Sequence, residues 1–119
     1  MIKNNKTNMI LATEVRFANT MLYRMIGLIG KKSLKDKEAL FIYPCQQIHT
    51  FFMRFPIDCL FINKNYEVIE TLEDFKPWKV SKKITDALGV IELPQGTIKR
   101  TNTQKRDLLT IEKIEELVI

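Results

Sequence analysis

From Ala39 onward, apolar residues arrive only in short runs: "ALFIY", "QIHTFFMRF", "IDCLFI", "YEVIETLE", "GVIEL" and "DLLTIE". Each is too short for a long amphipathic helix. Each is rich in Ile, Val, Phe, Tyr or Thr, side chains that suit a pleated, half-buried surface. Breakers separate them at Pro44, Phe55-Pro56, Asn63-Lys64-Asn65, Pro77, Gly89 and Pro94 to Gly96. Six or seven short strands with tight turns predict a mainly β fold, a sandwich or barrel. An earlier apolar run at Met9 to Val15 predicts a further strand. In "ANTMLYRMIGLIGKKSL", Leu22, Met25, Ile26 and Ile29 recur at i, i+3, i+4 and i+7, which predicts one early helix with Asn19 as its cap and Gly30 at its end. The segment "FKPWKVSKKITDA" has no periodicity and is expected to be a long surface loop, while "EKIEELVI" fits either a strand extension or a terminal helix.

A chain of 119 residues fits one domain, residues 1–119, and no Pro/Gly/Ser-rich linker or internal repeat divides it. At this size a globule buries roughly two thirds of its unfolded surface, so neither a metal nor a disulfide is needed for folding. No apolar run approaches the roughly 18 to 20 residues of a membrane span. The start, "MIKNNKTNMILATEV", lacks the apolar core and cleavage site of a signal peptide, so a cytoplasmic location and reduced Cys45 and Cys59 are expected. The net charge of +5 is uneven: Lys76 to Arg106 carries eight Lys/Arg against Asp86 and Glu92. Attraction to an anionic partner should arise there. No nucleic-acid module is recognisable, and dispersed lysines more often form a solvated face, so nucleic acid is not the expected partner.

The stretch from Cys45 to Ile62, "CQQIHTFFMRFPIDCLFI", holds the only histidine and both cysteines. Cys45, His49 and Met53, at i, i+4 and i+8, would share a helix face and are soft-metal ligands. The local composition favours a strand instead. On a strand, successive members lie about 13 Å apart, a span that metal bonds of about 2 Å cannot bridge. No metal and no cofactor is therefore expected: there is no second histidine, phosphate loop or dinucleotide fingerprint. Met53 then reads as a core or rim hydrophobe and Cys45 as a small residue after a proline turn. His49, beside Thr50, could be oriented by Asp58 across the Pro56 turn and serve in proton transfer; equally, it could satisfy backbone groups at a strand end. Asp58 lies between Ile57 and Cys59, where an unpaired carboxylate would be costly, so it should find Arg54, His49 or turn amides as partners. A structural latch across "RFPID" is its favoured role.

Taken together, "YRMIGLIGKKSL", "ALFIYPCQQIHTFFMRFPIDCLFINKNYEVI", Pro77 and "GVIELPQGT" resemble the prokaryotic family called domain of unknown function 192, over about Thr13 to Ile111. The specific part is the Pro-Cys, Ile-His-Thr, Met and Pro-Ile-Asp signature. The resemblance implies a small β-sandwich or jelly-roll-like fold and no established activity. Carried over by position, it singles out Gly27, Leu28, Pro44, Cys45, His49, Thr50, Met53, Pro56, Asp58, Glu92, Leu93 and Gly96. Two departures stand out: Phe52 replaces a smaller residue, and "KRD" at Lys105 to Asp107 replaces a Gly-Asp turn.

The functional expectation is a binding or accessory module. Its candidate ligand-binding residues are Cys45, His49, Thr50, Met53, Arg54 and Asp58, with Trp78 and Lys79 from the basic loop beside them. The expected partner is a small anionic molecule or a protein. The alternative is an enzyme with His49 as acid or base, oriented by Asp58; a third possibility is a signature that only holds the fold in register. The position of His49 discriminates: a cleft shared with Asp58 favours chemistry, an exposed face favours a partner, and burial among Phe51, Phe55 and Phe61 favours structure.

Overall fold

The computed structural model describes residues 1–20, 28 and 30–112. The helix expected between Asn19 and Gly30, and most of the "EKIEELVI" segment, lie outside the described residues. The described chain is mainly β. Its elements are β1 (Ile2–Asn4), β2 (Ile10–Ala12), β3 (Glu14–Ala18), β4 (Glu38–Ile42), β5 (Ile57–Ile62), β6 (Val68–Phe75), β7 (Gly89–Pro94), the short helix α1 (Thr97–Thr101) and β8 (Leu109–Ile111).

These strands form two sheets, ordered β2-β1-β8 and β3-β4-β7-β5-β6. Among the described strands only β3 and β4 pair in parallel; β4, β7, β5 and β6 are antiparallel neighbours. Between the sheets lies one core, in which Ile2, Leu11 and Leu109 meet Phe41, Leu60, Ile62, Ile91 and Leu93. The other face of the large sheet carries a second core. There Leu40, Ile42, Ile57, Cys59, Phe61 and Val90 of the sheet are covered by Leu28, Ile48, Met53 and Ala87. Burial on both faces explains why β5, "IDCLFI", is buried at every position and reads as an unbroken apolar run rather than an alternating one. Gly89 starts β7 because a Cβ there would come within 2.5 Å of the Ile42 carbonyl oxygen.

Two differences from the sequence reading bear on the site. The segment "QIHTFFMRF" is not a strand: it is a loop whose one ladder contact is an isolated bridge from His49 to Val80 of the facing loop, while Ile48 and Met53 pack on the large sheet. Its aromatic residues suit a pleated surface by composition, but they serve here to roof the second core and to project into solvent. The short helix α1 carried no sequence signal, since its cap is Gly96 at φ 91 with no capping side chain.

Candidate functional site

Two loops, residues 44–56 and 76–88, converge over the second core, and Thr50 fastens them. Thr50 is fully buried. Its amide donates to the Lys79 carbonyl at 2.8 Å and its carbonyl accepts from the Trp78 amide at 2.9 Å. Its hydroxyl donates to the Lys76 carbonyl at 2.6 Å and accepts from the Lys79 amide at 2.9 Å. Ser81 adds a second tie, its hydroxyl accepting from the Ile48 amide and its amide donating to the Ile48 carbonyl. Side-chain bonds of this kind let a turn form where no ladder continues.

The consequence appears at the surface. Phe52 and Trp78 both take left-handed backbone conformations, at φ 66 and φ 64. Bulky residues rarely do so without support from their surroundings. Their side chains are 64% and 60% exposed, yet their rings touch with centroids 4.8 Å apart. Phe51 lies 6.1 Å from Trp78 and 5.0 Å from the His49 ring, and the exposed Val80 extends the patch. The two loops carry Arg54, Lys76, Lys79, Lys82 and Lys83 and, between residues 44–57 and 75–85, no Asp or Glu. Lys76 is paired with Asp74 at 2.7 Å; among the described residues, Arg54, Lys79 and Lys83 form no ion pair. The result is an apolar crown on loops whose charged residues are predominantly basic, with Asp74 and Asp86 at their margins.

The predicted site residues divide between this surface and its scaffold. His49, Arg54, Trp78 and Lys79 are exposed, whereas Thr50, Met53 and Asp58 are buried. Cys45 is half-buried and its thiol donates to the Gln47 carbonyl. The proposed His49–Asp58 dyad is not formed. Asp58 spends both oxygens on backbone amides, accepting from Asp74 at 2.9 Å and from Ile98 at 2.9 Å. His49 Nδ1 accepts instead from the Phe51 amide at 3.3 Å. Asp58 is thus a latch, but one that ties β6 and α1 to β5 rather than closing the "RFPID" turn. The splayed-strand argument for Cys45, His49 and Met53 also loses its premise, since these residues lie on a loop. Among the described residues, no three of His, Cys, Asp and Glu are grouped so as to hold a metal.

Beneath the loops sits Glu92, on β7 between Leu40 and Cys59 of the neighbouring strands. Only 3% of it is exposed, and its Oε2 has no hydrogen-bond partner. Burial alone pushes its pKa from 4.5 to about 8, so the side chain is neutral at pH 7. Burial also raises the Cys59 thiol well above its usual range, with the nearby Glu92 and Asp58 carboxyls acting in the same direction. An inert, protonated thiol follows. Sequence reasoning missed Phe51, Phe52 and Val80 as surface residues. The available signal was an aromatic run bounded by two prolines, which fits a loop as well as a strand.

The fold and the two-loop face define a small two-sheet β domain with an exposed aromatic and basic surface on two hydrogen-bonded loops. The chain belongs to the domain of unknown function 192 family, described as "Uncharacterized ACR", whose model matches residues 2–111. It is similar to a UPF0127 protein of Pyrococcus horikoshii, 35% identical over 102 residues, covering 81% of this chain and 85% of that one. A UPF0127 protein of Pyrococcus furiosus is 33% identical over 101 residues, with 81% and 84% covered. A crystal structure of a protein of unknown function from Novosphingobium aromaticivorans shares the fold at TM-score 0.74 and 18% identity, covering 82% of this chain and 74% of that one.

Proposed function

We propose that this protein is a non-catalytic binding module whose contact surface is the face formed by His49, Phe51, Phe52, Trp78 and Val80 with Arg54, Lys79 and Lys83. The observation that carries the reading is the pair Phe52 and Trp78, two large aromatics held in strained backbone and turned to solvent by the bonds of a buried threonine. Strain that exposes apolar surface costs stability, and such features concentrate where a partner is met. The acid–base alternative loses its orienting group, because Asp58 is committed to the Asp74 and Ile98 amides.

The test uses Trp78, the only tryptophan, as its own reporter. Its emission is followed during titration with a panel of anionic probes: polyglutamate, polyphosphate, a single-stranded oligonucleotide and anionic vesicles. At least one probe is expected to give a saturable change that Phe52→Ser abolishes while leaving the melting temperature unchanged. A response to no probe overturns the reading.

A further inference from the structure

We infer that the occupant of this face is an anionic lipid surface, with the Phe52–Trp78 crown seated at headgroup depth and the surrounding lysines against lipid phosphates. The inference rests on the binding-module reading and narrows it to one partner.

Shape is the first argument. Small-molecule sites are concave and cover most of their ligand, and peptide segments dock in grooves or along sheet edges. Here Phe52 and Trp78 touch each other and still leave most of their surface in solvent, which only projecting rings can do. Centroid separations of 4.8 and 6.1 Å leave no slot between rings for a planar ligand. A projecting crown needs a partner that yields around it, and the bilayer interface does so.

Composition is the second. Trp is favoured at the membrane–water boundary because its ring is apolar and its N–H remains available to polar groups. Phe51, Phe52 and Val80 supply the apolar insertion that electrostatics alone lacks.

Charge is the third. Arg54, Lys79, Lys82 and Lys83 lie exposed on the same two loops as the crown, and residues 44–57 and 75–85 contain no carboxylate, the nearest exposed ones in sequence being Asp74, which is paired with Lys76, and Asp86. That arrangement complements a negatively charged leaflet. It opposes a second copy of the chain, since a two-fold contact through this face would set lysines against lysines. Finally, the Thr50 bonds fix both loops before contact, so little order remains to be lost on docking.

The experiment measures co-sedimentation and Trp78 emission with vesicles of phosphatidylcholine, alone or mixed with phosphatidylglycerol. The full chain is expected to bind the mixed vesicles with a blue-shifted Trp78, and phosphatidylcholine alone far more weakly. Phe52→Ser should remove the blue shift. Lys79→Glu combined with Lys83→Glu should weaken binding by more than roughly tenfold, given the strength of each basic residue near an anionic surface. All variants are checked for an unchanged melting temperature. Binding that Phe52→Ser leaves intact, with no shift of Trp78, would be diffuse charge attraction and overturns the inference. No vesicle binding, with a saturable response to polyglutamate or the oligonucleotide, overturns the lipid partner and leaves the binding module standing. No response to any probe overturns both.

Discussion

At Glu92 the chain places a carboxyl group in the centre of its largest sheet, flanked by Leu40 and Cys59, with one oxygen unpartnered. Its folded pKa of about 8 lies above the usual 4.5, so the native state holds a proton that the unfolded chain releases. Stability from this group is therefore complete below about pH 4.5. It is lost as pH rises toward 8, at up to ~1.4 kcal/mol per pH unit. Glu92→Gln should flatten the dependence of unfolding free energy on pH across that window, read as the difference between the two proteins in urea melts at pH 5 to 9. A parallel pair of curves would mean that Glu92 is ionised in the folded protein. Asp58 supports a second prediction. Asp58→Ala leaves the Asp74 and Ile98 amides without their acceptor and should cost about 1 to 3 kcal/mol by the same melts. His49→Ala should stay within about 0.5 kcal/mol, because the ring is exposed. The burden on Asp58 was legible in the sequence from its apolar neighbours. Its partners were not, since they lie 16 and 40 residues away.

At the scale of loops and turns, the resemblance of the chain to its family drew attention to "KRD" where a Gly-Asp turn is usual. The structure keeps a glycine-like backbone there: Arg106 sits at φ 79, and its amide donates to the Val68 carbonyl at 2.7 Å. The turn is not loosened by the arginine; the arginine is forced into the left-handed region. Arg106→Gly should therefore stabilise the protein by about 0.5 to 1 kcal/mol, the steric relief being partly offset by a freer unfolded chain. Thr50→Val makes the opposite case. It keeps the volume, strands the Lys79 amide and frees the Lys76 carbonyl, so amide exchange at Trp78 and Lys79 should accelerate well before the strands respond. Strands β4 to β8 were readable because their runs are short, branched and bounded by breakers. Residues 47–55 were misread as a strand because an exposed aromatic loop and a half-buried strand have similar composition. What separates them here is the set of bonds from Thr50 to a loop 26 to 29 residues later. Strand β1, "IKN", offered too few apolar residues to register at all.

For the molecule as a whole, the two cores play unequal parts. The second core forms under the loops that carry the candidate surface, so its residues set the rigidity of the face above it. The first core depends on strands far apart in sequence: β1 is the middle strand of the small sheet, with Ile2 opposite both Ala12 on β2 and Ile111 on β8. During synthesis β1 is made before both of its neighbours, and one of them, β8, is translated more than a hundred residues later. Until then Phe41, Leu60, Ile91 and Leu93 have no complete cover on that side. Nascent chains arrested before residue 109 should thus be protease-sensitive and should recruit chaperones, while chains arrested with β8 free of the exit tunnel should resist digestion. Of the described strands, the one translated last is the one that completes the small sheet.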